Sequence, residues 1–221
     1  HYYCWWYSAD DLQRKTCDKI FGPKVFEQSV RNVREIGGAA MLTEWGQGCD
    51  YANSSPSDPN GECNQIMSLA DQHFMSFTDW YFGGNLNDHW ESTFTDNAKQ
   101  MFSRPFVVAV AGKPHRMAFD PATNKFDFCF EQDDSTQSDE TEIFVPTLRY
   151  GQQANVNVEV SANLRVKSFR DQKLVLVNRP VANVTSRACI TLTLVCVFCF
   201  VFEWFLIESV TLLRTFLLRE Q

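Results

Sequence analysis

Residues 39–46 read Ala-Ala-Met-Leu-Thr-Glu-Trp-Gly. Small and apolar residues lead to one carboxylate, and an aromatic and a glycine then release the chain. Residues 39–43 suit a strand buried on both faces, as in parallel sheets. Glu44 follows at the C-terminal end of that strand, which is where β/α barrels carry out their chemistry. A lone Glu is usually a solvated turn residue, but the buried-strand types around this one weigh against that.

The pattern on either side of this stretch repeats. Upstream, residues 1–6 (His-Tyr-Tyr-Cys-Trp-Trp) read as a short buried strand. Gly22-Pro23 starts a helix, since proline suits the first helical position. Phe26, Val30 and Val33 recur at helical spacing, and Gly37-Gly38 ends the helix. Downstream comes a polar loop, then a helical stripe of Ile66, Met67, Ala70, Phe74 and Phe77. Residues 76–81 predict another strand, Gly83-Gly84 a loop, and residues 97–102 a short helix. Strand and helix thus alternate as in parallel β/α architecture. Three units are too few for a closed barrel, which takes about 250 residues, but they suit the last three units of a (β/α)8 TIM barrel. Residues 1–112 are assigned to this part.

From Lys113 the period changes. Phe126, Phe128 and Phe130 alternate with Asp127, Cys129 and Glu131, a period of two. Residues 120–124 (Asp-Pro-Ala-Thr-Asn) supply the turn before them. Residues 142–150 form a further candidate strand, with Pro146 marking an edge or a break. Val156, Val158 and Val160 alternate with polar residues, and residues 174–177 and 189–194 read as two more strands. Short strands at this spacing predict a small antiparallel β-sandwich over residues 113–195. Residues 189–207 are almost wholly apolar, broken only by Glu203. Periodicity leaves three readings of residues 196–221 open: an aberrant terminus after a final strand, a membrane anchor, or part of a buried hairpin.

Composition excludes some classes. The chain has 221 residues and a net charge of -7. Nucleic-acid binding is not expected, because it requires cations to neutralise phosphates. Among the 8 cysteines, no Cys-x-x-Cys pair is matched by a second one, so no zinc site is predicted. Asn53-Ser54-Ser55 and Asn183-Val184-Thr185 are glycosylation sequons. Cys49 and Cys63 flank a loop and are disulfide candidates by proximity. Together these features point to a secreted or endomembrane-lumenal protein, lysosomal lumen included. His1 opens directly on a strand-like run, which is expected of a fragment of a longer chain.

The chemistry that fits Glu44 is glycoside hydrolysis with retention. One carboxylate attacks the anomeric carbon, and a second carboxyl group about 5–5.5 Å away protonates the leaving oxygen. The attacking group needs hydrogen-bond donors or positive charge beside it. His1 and Tyr3 are two apart, so on a strand they share a face. Tyr3 is a candidate to donate its hydroxyl to Glu44 and His1 to hydrogen-bond substrate; taken alone, the two residues are better explained as an aromatic-rich strand start. Trp80 and Trp45 are candidates to stack on a sugar ring, against the commoner fate of a core tryptophan. His89-Trp90 is similarly open, and His73, on a helix, is expected to be structural.

The segments His1-Tyr2-Tyr3-Cys4, Leu42-Thr43-Glu44-Trp45-Gly46 and Ser76-Phe77-Thr78-Asp79-Trp80 resemble the C-terminal part of endoglycoceramidases, members of glycoside hydrolase family 5. Arg104-Pro105-Phe106 with Ala109-Val110-Ala111-Gly112 looks like the join between barrel and sandwich. Phe144-Val145-Pro146 with Tyr150 resembles a sandwich strand. The resemblance covers about residues 1–160 and extends more faintly to about 195. It implies that Glu44 is the nucleophile at the end of the seventh barrel strand, His1 and Tyr3 the His-x-Tyr of the sixth, and Trp80 the tryptophan of the eighth. It further implies hydrolysis of the β-glycosidic bond between oligosaccharide and ceramide, with no metal or organic cofactor and with a glycosphingolipid or another glycoside as partner. A β-glucosidase or β-glucanase of the same family, or a non-catalytic protein binding glycolipid or a membrane surface, are the alternatives. The family's acid/base Glu lies in an Asn-Glu-Pro motif on the fourth strand, and this chain has no such tripeptide. Little or no activity is therefore expected of this chain by itself.

Overall fold

A computed structural model describes residues 1–2, 17–45, 55–78, 96–133, 138–179 and 186–195. Of the predicted sites, Tyr3, Cys49, Asn53, Trp80, Asn183 and the His89-Trp90 pair lie outside these residues, as does the tail at 196–221.

Helix α1 spans Gly22–Glu35 with Pro23 in its first turn. It buries Phe26 and Val30 and leaves its opposite face to the i,i+4 pair Glu27–Arg31. Gly37 ends it with φ 73°. The amide of Gly38 donates to Val33 O at 2.7 Å and that of Gly37 to Arg34 O at 3.1 Å, a Schellman ending. Strand β1 follows at Met41–Leu42, helix α2 at Glu62–Gln72, strand β2 at Ser76–Phe77 and helix α3 at Asp96–Phe102. β1 and β2 pair in parallel, Met41 with Ser76 and Leu42 with Phe77. On the other side of β1, the Tyr2 amide donates to Glu44 O at 3.0 Å, so three extended segments lie side by side.

The expectation that residues 39–43 are buried on both faces is corrected. Leu42 is buried, while Met41 is 52 % exposed and Thr43 is also exposed. The helices cover one face of the strand, and no layer covers the other among the described residues.

The second part is a sandwich of two four-stranded antiparallel sheets. Its strands are β3 (Phe106–Ala109), β4 (Gly112–Asp120), β5 (Lys125–Gln132), β6 (Glu140–Phe144), β7 (Val156–Val160), β8 (Leu164–Arg170), β9 (Lys173–Asn178) and β10 (Arg187–Leu194). One sheet has the order β4-β5-β10-β7 and the other β3-β6-β9-β8. The alternation in β5 works as read: Phe126, Phe128 and Phe130 are each 0 % exposed, packed with Ile143 and Leu174 of the facing sheet and with Ile190 of the adjacent strand β10. Pro146 breaks the expected strand over residues 142–150, which continues as a short helix, α4 (Thr147–Tyr150). β3 pairs with β6, so the sandwich begins near Arg104 and not at Lys113. Residues 189–194 form the greater part of β10, paired on both sides, so the apolar run enters the sandwich as a central strand. Gly112 has no substitute, since a Cβ there would come within 2.0 Å of Glu131 O.

Candidate active site

β1 carries Glu44 two residues past its last paired residue. Two neighbours hold that stretch of backbone. Thr78, just after β2, donates its amide to Leu42 O at 2.9 Å and its hydroxyl to Thr43 O at 2.7 Å. On the other side is the Tyr2–Glu44 backbone bond. Tyr2 is itself fixed, with its ring edge-on to Phe26 at 5.4 Å. Backbone anchored from both flanks gives a reacting group the precision that loops lack.

The Glu44 side chain is 23 % exposed, and its Oε2 lies 3.1 Å from His1 Nδ1. The structure therefore brings together the two predicted catalytic residues it describes, though in a different relation: His1 faces the carboxylate itself. An Nδ1–H donor at this distance hydrogen-bonds the carboxylate and orients it. A cavity of about 310 Å³ opens beside the pair, lined by His1, Tyr2, Val25, Phe26 and Met41. Its wall is mostly apolar and does not include Glu44, so it is packing space next to α1 and not a cleft over the carboxylate.

Trp45 was a candidate sugar platform. It is 0 % exposed, with its ring edge-on to Phe77 at 5.6 Å and close to Phe102 at 6.2 Å. Both of its faces are spent on packing, so it is a core residue. His73 caps the end of α2 and stacks on Phe26 at 6.2 Å, the structural role expected. Burial lowers its pKa, an effect opposed by Glu27 and reinforced by Arg34. Cys63 is 2 % exposed and disulfide-bonded. No group of three metal-ligating side chains occurs among the described residues. No described helix is long and apolar enough to cross a membrane.

Sequence reasoning missed two features that support the site. Thr78 stood within a quoted motif, but nothing in its spacing marked the carbonyl it would bind. The other is a buried polar joint between the two parts. Arg104 is 5 % exposed; it donates to Asp71 Oδ2 at 2.7 Å and to Asn64 Oδ1 at 3.2 Å, both on α2. Its guanidinium also lies 4.7 Å from the ring centre of Phe119 on β4. Asn64 continues inward, donating to Asp58 O at 2.8 Å.

Comparison with known proteins places this arrangement. Residues 104–191 match the family described as the glycoside hydrolase family 5 C-terminal domain. The fold is similar to that of endo-glycoceramidase II from Rhodococcus sp. in its lactosyl–enzyme intermediate, with a TM-score of 0.57 and 19% identity over 82% of this chain and 39% of that one. The same enzyme with a five-membered iminocyclitol gives a TM-score of 0.59 at 19% identity, over 84% of this chain and 40% of that one. This chain thus spans about two fifths of the length of these neighbours. No curated protein sequence matches it. Residues 104–191 are therefore similar to the C-terminal domain of family 5 glycoside hydrolases, and the chain resembles endo-glycoceramidase II in fold.

Proposed function

We propose that Glu44 is the nucleophile of a retaining glycosidase that releases oligosaccharide from ceramide, and that this chain carries the nucleophile side of the site alone. The observation behind this reading is the Glu44 carboxylate at the C-terminal end of β1, with His1 Nδ1 3.1 Å away. The covalent lactosyl–enzyme named for the Rhodococcus neighbour is the kind of intermediate such a nucleophile forms. The acid that protonates the leaving oxygen is expected in an Asn-Glu-Pro segment, a tripeptide this chain does not contain. Natural glycosphingolipid should then turn over slowly or not at all on this chain, because its leaving alkoxide needs that proton.

An activated substrate separates the two roles. A 2-fluoro glycoside with a dinitrophenolate leaving group departs without general acid, and the fluorine slows breakdown of the glycosyl–enzyme. Incubation with the dinitrophenyl 2-fluoro-lactoside should add the mass of one 2-fluoro-lactosyl group to the peptide containing Glu44. The label should be absent from Glu44→Gln. A label on another residue, or equal labelling of the variant, sinks the assignment.

A further inference from the structure

The outward face of the β4-β5-β10-β7 sheet carries a feature that sugar hydrolysis does not use. Cys129 on β5 and Cys189 on β10 stand directly opposite each other and are joined in a disulfide, with their Cα atoms 4.1 Å apart. Cys189 spends both of its backbone groups on the β7 side: its amide donates to Ser161 Oγ and its carbonyl accepts from the Ser161 amide, each at 2.9 Å. Toward β5 it therefore belongs to a narrow, non-hydrogen-bonded pair, where facing side chains come closest. Both cysteines are half-buried on the outer surface, whereas their neighbours Phe128, Phe130, Ala188 and Ile190 point inward and are 0–1 % exposed. The inner face packs without help from the sulfurs.

We propose that Cys129–Cys189 is a redox-sensitive tie, opened by a dithiol reductant while the sandwich stays folded, and that the buried disulfide of Cys63 resists the same reagent. The charges on that face favour opening in one direction: Arg187, two residues before Cys189, is registered opposite the carboxylate of Glu131, whereas Arg116 is registered opposite a cysteine. Arg116 on β4 is registered opposite Cys129, so the two side chains share a face. The acids on that face of β5 are engaged: Asp127 by Lys125 at 3.1 Å and by Thr191 at 2.7 Å, and Glu131 by Ser186 at 3.3 Å. A cation beside a sulfur stabilises its thiolate and makes it the better leaving group. One thiolate of the reductant attacks Cys189 Sγ, and the electron pair of the broken bond goes to Cys129 Sγ, next to Arg116. The reductant's second sulfur then attacks the mixed disulfide, releasing Cys189 as thiolate. The reductant ends as its own disulfide, and solvent protonates the two cysteines.

The test is native-state reduction of the whole chain with graded dithiothreitol, alkylation with iodoacetamide, and peptide mass mapping. Cys129 and Cys189 should be labelled together, at least about ten-fold faster than Cys63, with the β-sheet circular dichroism unchanged. The bond closes a sequence separation of 60, so its loss should lower the melting temperature by roughly 10–20 °C. Arg116→Gln should slow the reduction several-fold, while Arg165→Gln, on the other sheet, should not. The Cys129→Ser, Cys189→Ser double variant should fold and melt like the reduced protein. Labelling only with loss of the β-sheet signal, labelling of Cys63 first, indifference to Arg116, or a double variant that does not fold would each overturn the proposal.

Discussion

Replacing Asp71 by Ala would leave the Arg104 guanidinium buried without its carboxylate. Arg104 is 5 % exposed and its Asp71 contact is 2.7 Å, so neither side is screened by solvent. A guanidinium does not shed its proton, which rules out relief by neutralisation. Breaking a buried pair from one side typically costs about 3–5 kcal/mol, a large part of the 5–15 kcal/mol that holds a typical domain folded. With a urea slope of about 2–3 kcal/mol per molar, the midpoint followed by circular dichroism should fall by roughly 1–2 M. Replacing both residues with apolar ones, Asp71→Leu with Arg104→Met, removes the charge along with its partner. That variant should stay within about 1–2 kcal/mol of the parent, much of the difference being the donor lost to Asn64. A single variant less than about 1 kcal/mol below the parent, or a double variant as unstable as the single, would refute the claim that an unpaired charge sets the cost.

Two further outcomes follow from particular contacts. Phe128→Ala, at a residue 0 % exposed between the two sheets, should cost about 3–5 kcal/mol in the same urea titration. At the β4–β5 turn, the hydroxyl of Thr123 donates to Asp120 Oδ2 at 2.6 Å, and this bond chiefly holds the Asp120 carboxyl below its ordinary 3.8. The charged form is thus favoured in the folded state. Its contribution is full above about pH 4 and is lost as pH falls through the lower folded value. Thr123→Ala should move the Asp120 carboxyl upward in an NMR titration and weaken that pH dependence, the backbone amides of residues 122 and 123 still holding part of it.

The parts that were legible in the sequence are those where one physical demand dominates. The β5 phenylalanines alternate because only one face meets the core, and α1 could be read from its proline, its stripe and its glycines. The missed strands are all edges. β3, β4 and β8 each end a sheet, and edges carry the residues that hide a strand from pattern reading. β4 contains Pro114 with Lys113, His115 and Arg116, and its register slips between Pro114 and Arg116. β8 carries Arg165, Lys167 and Arg170 and slips between Val166 and Ser168. At the site, Glu44 stood out through its flanks, but its contact with His1 joins residues 43 positions apart and leaves no local trace. Trp45 misled for the opposite reason: an aromatic beside a carboxylate looks the same in sequence whether its ring meets a sugar or Phe77 and Phe102.

The joint between the two parts also carries strain, at Phe74. Helix α2 ends in a Schellman motif, the Met75 amide reaching Ala70 O at 2.9 Å and the Phe74 amide Asp71 O at 3.1 Å. The turning position of that motif usually holds glycine, yet here a phenylalanine sits at φ 52°. The left-handed conformation costs a side-chain-bearing residue about 1–2 kcal/mol. The offset is the ring, which packs against the sandwich core while its helix belongs to the core under β1. Phe74→Ala discards the ring and keeps the strain, whereas Phe74→Gly discards both. The glycine variant should therefore be the more stable of the two by about 1 kcal/mol, the reverse of their order inside a helix. Both should lie below the parent, because each cuts the apolar link between Glu44's half of the molecule and the sandwich. If alanine equals or exceeds glycine in urea titration, the backbone at 74 does not hold its left-handed turn, and the strain assigned to it is absent.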